Sequence, residues 1–197
     1  MAIDFSVEAG IGSIVLNRPP ANAYDGAMVA ELRAAAERAA ADPEVRVVVV
    51  RSASPKFFCS GADISTLQGA TPARFANFLV QAQGAVDAIA AAPKLFIAAI
   101  AGHCIGGGLE IALGCDFRLA STGGYKLGLA EVNLGLSPGM GGTQRLARLI
   151  PKSRALYLMV TGEMLTPEQA LADGIVDRVI PAESFDAEVM AFARKLA

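Results

Sequence analysis

The chain contains 197 residues, of which 53% are hydrophobic, 18% charged and 6% aromatic, and its formal net charge is −2. This content of apolar residues excludes an intrinsically disordered protein, because a chain of this length can bury a sizeable core. The near balance of acidic and basic residues, with no run of Lys or Arg, argues against a protein that binds nucleic acid mainly through its phosphates.

Predicted strands and helices alternate along the first half of the chain. In order, the patterns predict a hairpin of strands at 3–8 and 11–16, a helix at 25–41 capped by Asp25, a strand at 45–50, a loop at 52–60, a helix from Thr71-Pro72 to about Ala92, and a strand at 95–100. The strands at 45–50 and 95–100 are continuous apolar runs. Such runs are typical of parallel strands that are buried on both faces.

The second half continues the alternation. The patterns predict a short helix that opens at Gly106-Gly107-Gly108, a strand at 117–120, a glycine-rich loop to Gly142, helices at 143–150 and 152–160, a helix with a capping box at Thr166 and Gln169, a strand at 176–180, and a terminal helix capped by Ser184. We therefore expect an α/β fold with largely parallel sheets. We expect a core at residues 1–150 and a mostly helical C-terminal segment at residues 151–197.

The three cysteines, Cys59, Cys104 and Cys115, show no spacing that builds a zinc site, and their odd number argues against a disulfide framework. The N-terminus lacks the apolar core of a signal peptide. The most apolar stretch, at 95–109, is shorter than the roughly 20 residues that a spanning helix needs. These features predict a soluble protein of a reducing compartment, the cytoplasm.

Two glycine-containing segments, 60–64 and 106–110, follow the two buried strands. The carboxyl ends of neighbouring parallel strands are where open α/β sheets bind ligands, so we expect both segments to face one crevice. Glycine allows a backbone to approach a ligand closely, and the start of a helix carries positive potential. The N–H groups of Ala62 and Gly107 are therefore candidates for a two-donor oxyanion hole. An ordinary tight turn is the alternative interpretation of each segment.

Two acidic residues stand alone in apolar segments. Glu110 lies in the first turn of the helix that the glycines open, and Glu131 lies between Ala130 and Val132. Charge–dipole attraction is the purely structural explanation of Glu110. If the two carboxyl groups converge, they can hold one water molecule, and like-charge repulsion would raise the pKa of one of them. Such a pair supplies an acid and a base together.

A series of motifs makes a resemblance specific. In order they are Ser60-Gly61-Ala62-Asp63-Ile64, then Ile105-Gly106-Gly107-Gly108-Leu109-Glu110 followed by Gly114-Cys115-Asp116, then Leu129-Ala130-Glu131-Val132-Asn133-Leu134-Gly135, and Pro138-Gly139-Met140-Gly141-Gly142-Thr143-Gln144-Arg145-Leu146. In order and spacing they resemble the enoyl-CoA hydratase/isomerase (crotonase) family. The likeness extends from Leu16-Asn17-Arg18-Pro19 to the segment that ends at Val176.

The resemblance implies a spiral of β-β-α turns and an acyl-CoA thioester substrate of fatty acid metabolism. It places the carbonyl oxygen of the thioester against the N–H groups of Ala62 and Gly107. In hydratase members, water adds syn across the double bond of a 2-enoyl-CoA to give 3-hydroxyacyl-CoA. By this likeness Glu110 is the base that acts on water, and Glu131 is the acid that protonates C2. The reaction requires no metal and no cofactor beyond the coenzyme A part of the substrate.

The resemblance also suggests how the two ends of the substrate are held. Lys56 matches a position near the CoA phosphates, and a solvated surface lysine is its alternative interpretation. The backbone of Ala62, Asp63 and Ile64 is a further candidate for CoA contacts. The acyl pocket has three candidate side chains on the predicted helix after Thr71, which otherwise belong to the core: Phe75, Phe78 and Leu79.

Two other functions compete with hydration. An enoyl-CoA double-bond isomerase of the same fold moves a proton and needs no water-holding pair, so the presence of both Glu110 and Glu131 favours a hydratase. A catalytically silent acyl-CoA binder, an RNA-binding relative or an assembly subunit is the second alternative, and the absence of a basic stripe argues against RNA. Family members usually run longer, with C-terminal helices that build a trimer or a dimer of trimers. We therefore expect a chain truncated relative to the family, and a homotrimer or hexamer if those helices exist.

Overall fold

The computed structural model describes the backbone of residues 1–197 and every side chain except that of Leu67. The strands are β1 (Ile3–Glu8), β2 (Ile11–Leu16), β3 (Val47–Ser52), β4 (Phe57–Cys59), β5 (Leu95–Ile100), β6 (His103–Ile105), β7 (Phe117–Ser121), β8 (Leu127–Gly128) and β9 (Arg178–Ile180). The helices are α1 (Gly26–Ala41), α2 (Ile64–Leu67), α3 (Pro72–Ala90), α4 (Gly107–Gly114), a 3₁₀ helix at Glu131–Leu134, α5 (Gly142–Leu149), α6 (Lys152–Thr161), α7 (Pro167–Ala172) and α8 (Phe185–Leu196).

The strands form two sheets. The larger has the order β1-β2-β3-β5-β7-β9, and the smaller has the order β4-β6-β8. Apart from the antiparallel β1–β2 hairpin, the paired strands run parallel. Consecutive strands from β3 to β8 alternate between the two sheets, and helices follow each pair. This repeat is the predicted spiral of β-β-α turns, so the predicted α/β class is confirmed.

Several helix ends follow from local side-chain chemistry, as predicted. The Asp25 carboxylate accepts a hydrogen bond from the N–H of Met28 at the start of α1, and Thr71 caps α3. A capping box begins α7, where the Thr166 side chain and the Gln169 side chain each accept a backbone N–H. These bonds satisfy amide groups that have no partner inside the helix.

The larger sheet is buried on both faces, which explains the uninterrupted apolar runs. In β3, Val48 and Val50 face the main core with α1 and α3, whereas Val47 and Val49 face a second cluster that α8 covers. Residues 151–197 are mostly helical and add β9 to the edge of this sheet. The division of the chain at residue 150 stays a prediction. Among the described residues, no helix is long and apolar enough to cross a membrane.

The smaller sheet corrects the predicted loops. Strand β4 lies within the predicted loop at 52–60, and β8 lies within the predicted glycine-rich loop. Strand β6 lies between the predicted strand at 95–100 and the helix that opens at Gly106, where the patterns predict no element. These strands are too short to show an alternating pattern of apolar and polar residues. They form because each pairs with a neighbour that is far away in sequence, such as Cys59 with Cys104.

Candidate active site

The segments that carry Ala62 and Gly107 meet at the ends of adjacent strands. Ala62 forms a parallel β-bridge with Tyr24, in which the flanking residues Gly61 and Asp63 make the backbone hydrogen bonds. A Cβ atom on Gly61 would lie only 3.7 Å from the Gly107 nitrogen. No described residue accepts a hydrogen bond from the N–H of Ala62 or Gly107. Both residues line one cavity, so their N–H groups are candidate donors to a molecule bound there.

Glu110 is held rigidly in the first turn of α4. Its side chain is buried, with 1% of its surface exposed, and its Oε1 atom accepts hydrogen bonds of 2.7 Å from the N–H groups of Met140 and Gly142. Burial raises the pKa of this carboxyl above its ordinary value. The backbone hydrogen bonds and the charge of Arg145 offset part of this increase. The donors favour the ionised carboxylate, as a base requires.

Glu131 begins the 3₁₀ helix and has a different environment. Its Oε2 atom is buried and has no hydrogen-bond partner among the described residues. Burial first, and then the charge of Glu110, raise the pKa of Glu131 to about 7. The carboxyl of Glu131 therefore retains a proton more readily than an ordinary glutamate at neutral pH. The sequence suggested repulsion as the cause, but removal of the carboxyl from water contributes more.

Glu110 and Glu131 line the same cavity as Ala62 and Gly107. The cavity has a volume of about 200 Å³. Its wall also contains the predicted acyl-pocket residues and several apolar residues from later segments, namely Phe75, Phe78, Leu79, Leu134, Leu136 and Met140. The structure thus brings polar groups together at one end of a mostly apolar space, which is the usual composition of a small-molecule site.

The predicted CoA contacts lie in different surroundings. Ile64 lines the cavity and is 48% exposed. The Asp63 carboxylate caps α2 and contacts the Arg18 guanidinium at 2.9 Å, and the Ser65 hydroxyl and Arg18 lower its pKa. Lys56 is exposed and lines a separate groove that also contains His103. The structure does not bring Lys56 to the cavity wall, and a contact of Lys56 with CoA stays a prediction.

Sequence reasoning missed three residues that shape the site. Tyr24 lines the cavity, and its ring stacks on Phe78 with 6.0 Å between ring centroids. Arg18 contacts Asp63 beside Ala62, and Arg145 donates a 2.8 Å hydrogen bond to the carbonyl of Met140. In the sequence, Tyr24 has the pattern of a core residue, and Arg18 and Arg145 have the pattern of surface residues. Their positions at the site depend on contacts with residues that are distant in sequence.

The chain is similar to proteins of known family. Residues 6–197 match the family model described as enoyl-CoA hydratase/isomerase. The chain is 37% identical over 198 residues to (E)-benzylidenesuccinyl-CoA hydratase of Thauera aromatica, covering 100% of this chain and 77% of that protein. It is 40% identical over 190 residues to a probable enoyl-CoA hydratase of Rhizobium meliloti (strain 1021), covering 95% and 72%.

A solved structure gives the same result at the level of the fold. An enoyl-CoA hydratase structure from Geobacillus kaustophilus HTA426 superposes with a TM-score of 0.97 at 44% sequence identity. The match covers 99% of this chain and 74% of that chain. The predicted architecture is therefore confirmed by comparison as well as by its strand order.

Proposed function

This chain belongs to the enoyl-CoA hydratase/isomerase family, and on that premise we propose that it is an enoyl-CoA hydratase. The reaction adds water syn across the double bond of a 2-enoyl-CoA thioester and gives a 3-hydroxyacyl-CoA. The observation that carries the proposal is that Glu110 and Glu131 share one cavity with the free N–H groups of Ala62 and Gly107.

In the proposed reaction, the two glutamates divide the proton transfers. Glu110 accepts a proton from water, and the hydroxide portion forms the bond to C3. The electron pair of the double bond moves toward the thioester, and C2 then takes a proton from Glu131. Backbone donors stabilise Glu110 as a carboxylate, whereas Glu131 has a pKa of about 7 and carries the proton to be donated. Transfer of one proton between the two groups restores the starting state.

The backbone donors act on the charge that this addition creates. Negative charge accumulates on the thioester oxygen as water attacks, so donors placed there stabilise the transition state more than the neutral substrate. Gly107 is the first residue of α4, and the positive end of the helix dipole adds to its N–H. Each donor of this kind contributes roughly 2.7–4 kcal/mol in comparable sites. The reaction moves protons and water, so it requires neither a metal nor a redox cofactor.

The apolar part of the cavity fits the acyl group of the substrate. Phe75, Phe78 and Leu79 on α3 and Leu136 on the opposite wall surround the space next to the polar groups. We propose that these residues receive the acyl chain, while the exposed side near Ile64 receives the CoA portion. An acyl-CoA of this kind is the substrate class on which the family acts.

The decisive experiment combines an enoyl-CoA substrate with the variant Glu110→Gln. The wild-type protein should consume the enoyl absorbance of crotonyl-CoA and place oxygen from ¹⁸O-labelled water at C3. In Glu110→Gln, kcat should fall by about 10³-fold or more, because the amide cannot accept the proton. The amide oxygen can still accept the two backbone N–H groups, so the variant should fold.

Glu37→Gln is the matched control, since Glu37 lies on the exposed face of α1 and pairs with Arg33. It should leave kcat unchanged. Movement of the double bond without incorporation of oxygen would identify an isomerase instead. Saturable binding without loss of absorbance would identify an acyl-CoA binder.

A further inference from the structure

Tyr24 lines the cavity, and the proposed reaction leaves its hydroxyl unused. The residue as a whole is 5% exposed. Its hydroxyl makes no hydrogen bond to a described residue, and it is open to the cavity rather than fully buried. A phenol hydroxyl has one O–H donor, which can bond to a molecule in the space that it faces. Tyr24 is therefore free to donate a hydrogen bond to a ligand in the cavity.

The backbone of Tyr24 lies directly beside one oxyanion donor. Its N–H donates to the carbonyl of Gly61 at 2.9 Å, and its carbonyl accepts from the N–H of Asp63 at 2.8 Å. These two bonds are the parallel bridge that pairs Tyr24 with Ala62. The position of Tyr24 relative to the Ala62 N–H is therefore fixed by main-chain hydrogen bonds.

The side chain of Tyr24 reaches across to the second donor. Its Cζ atom lies 2.7 Å from the point that a Cβ atom on Gly107 would occupy, and its hydroxyl oxygen lies closer still. Only glycine leaves room for the phenol at this place. The ring stacks on Phe78 at an interplanar angle of 15°, which holds the hydroxyl in this direction. The hydroxyl thus lies next to the Cα atom of Gly107.

The electrostatic surroundings keep the phenol neutral. Burial raises the pKa of Tyr24 well above its ordinary value, and the charge of Glu110 raises it further. A neutral phenol has one O–H donor, and negative charge that develops nearby is the natural acceptor. In the proposed reaction, that charge develops on the thioester oxygen.

We propose that the Tyr24 hydroxyl is a third hydrogen-bond donor to the thioester carbonyl oxygen, beside the N–H groups of Ala62 and Gly107. This role rests on the proposed function, in which an enoyl thioester occupies the cavity. Tyr24 transfers no proton; it stabilises the enolate-like charge and polarises the carbonyl of the bound substrate. It would therefore be a further catalytic residue of the same site.

The test is Tyr24→Phe, which removes the hydroxyl and keeps the ring on Phe78. We expect kcat for hydration to fall about 10- to 100-fold, with KM changed by less than about threefold, because the bond strengthens in the transition state. Tyr157→Phe is the matched control, since Tyr157 is 49% exposed and does not line the cavity. It should retain the wild-type kcat.

A spectroscopic readout separates polarisation from turnover. The absorption of a conjugated enoyl thioester, such as cinnamoyl-CoA, moves to longer wavelength when donors polarise its carbonyl. We expect a smaller movement on binding to Tyr24→Phe than on binding to the wild type. This readout needs binding of the thioester but no hydration. If the wild-type protein shifted the absorption without consuming the substrate, the proposed function would be wrong. The comparison with Tyr24→Phe would still test whether the hydroxyl polarises the carbonyl.

Two results would overturn the inference. The first is an absorption shift in Tyr24→Phe that equals the wild-type shift. If the pH profile of kcat changed while the absorption shift stayed the same, the hydroxyl would act on a glutamate instead of the thioester carbonyl. The second is a loss of several degrees in the unfolding temperature, since the hydroxyl would then have a structural partner. We expect an unfolding temperature close to that of the wild type, because the hydroxyl makes no hydrogen bond to a described residue that the substitution would break.

Discussion

At the scale of single residues, Glu131 sets the pH range of the proposed reaction. Burial and the neighbouring charge of Glu110 raise its pKa to about 7. Because the protonated form donates to C2, we predict that kcat falls as pH rises through about 7. The measurement is the initial rate of hydration of crotonyl-CoA between about pH 5.5 and 9. Glu131→Gln should lose most activity, and its residual rate should lack this basic limb. A limb that survives the substitution would assign the titration to another group.

The two glutamates were predictable from the sequence, and Tyr24 was not. An isolated acid in an apolar segment is unusual, because burying a charge is costly, so Glu110 and Glu131 attract attention without a structure. A tyrosine in a segment that leads into a helix reads as ordinary core. Its position in the cavity follows from the bridge with Ala62, which joins segments that are distant in sequence.

At the scale of elements, α5 positions the base through Arg145. The guanidinium donates to the carbonyl of Met140 and forms a 2.6 Å ion pair with Asp87. Arg145→Ala should loosen the turn that donates to Glu110 and remove a nearby positive charge. Both changes raise the pKa of Glu110, so the acidic limb of the kcat profile should move to higher pH.

Two further variants control this experiment. Arg145→Lys keeps the positive charge but loses the planar guanidinium and its hydrogen-bond geometry. We therefore expect an intermediate displacement of the acidic limb of the kcat profile. Asp87→Asn should have little effect, because the Asp87 side chain is 67% exposed. An acidic limb that stays in place in Arg145→Ala would show that the turn holds Glu110 without help.

The contact between α4 and β4 fixes the distance between the two backbone donors. A Cβ atom on Gly108 would lie 2.9 Å from the carbonyl carbon of Cys59 and closer to its oxygen. We predict that Gly108→Ala lowers the free energy of unfolding by about 1–3 kcal/mol and also lowers kcat, because α4 must move away from β4. Urea unfolding and the hydration assay measure the two effects.

Gly124→Ala is the matched control, since no described atom beyond the two adjacent residues lies within 4 Å of its added methyl group. The free energy of unfolding should change by less than about 0.5 kcal/mol, as for a surface substitution. If Gly108→Ala left kcat unchanged, the spacing of the donors would not depend on this contact.

The long elements were predictable because they carry their own signals. Helix α3 has the cap Thr71 and Pro72 at its first turn, and the apolar run of β3 marks a buried strand. The strands β4, β6 and β8 carry no such signal. Their formation depends on pairing between successive turns of the spiral, which a local pattern does not contain.

At the scale of the whole molecule, the hydrophobic cluster under α8 is separate from the site. Helix α8 covers the face of the larger sheet that contains Val47 and Val49, and no described α8 residue lines the cavity. We predict that Val189→Ala lowers the free energy of unfolding by about 1–3 kcal/mol, because it leaves a void against the sheet. The kcat and KM of the folded protein should stay unchanged, which urea unfolding and the hydration assay together can check. A large change in KM would show that the two faces are coupled.

The two contacts of Glu110 with Met140 and Gly142 have a consequence for mutational studies. Like the pair at Ala62 and Gly107, they come from main-chain amides, which every residue type except proline supplies. An alanine scan therefore does not report on these functional groups. Met140→Ala keeps its N–H, whereas a Cβ atom on Gly142 would lie 2.9 Å from the Glu110 Oε1 atom and would disturb the site by contact. Replacing single amides by esters would delete the N–H donors one at a time. The resulting changes in kcat would show how much of the catalysis depends on main-chain groups.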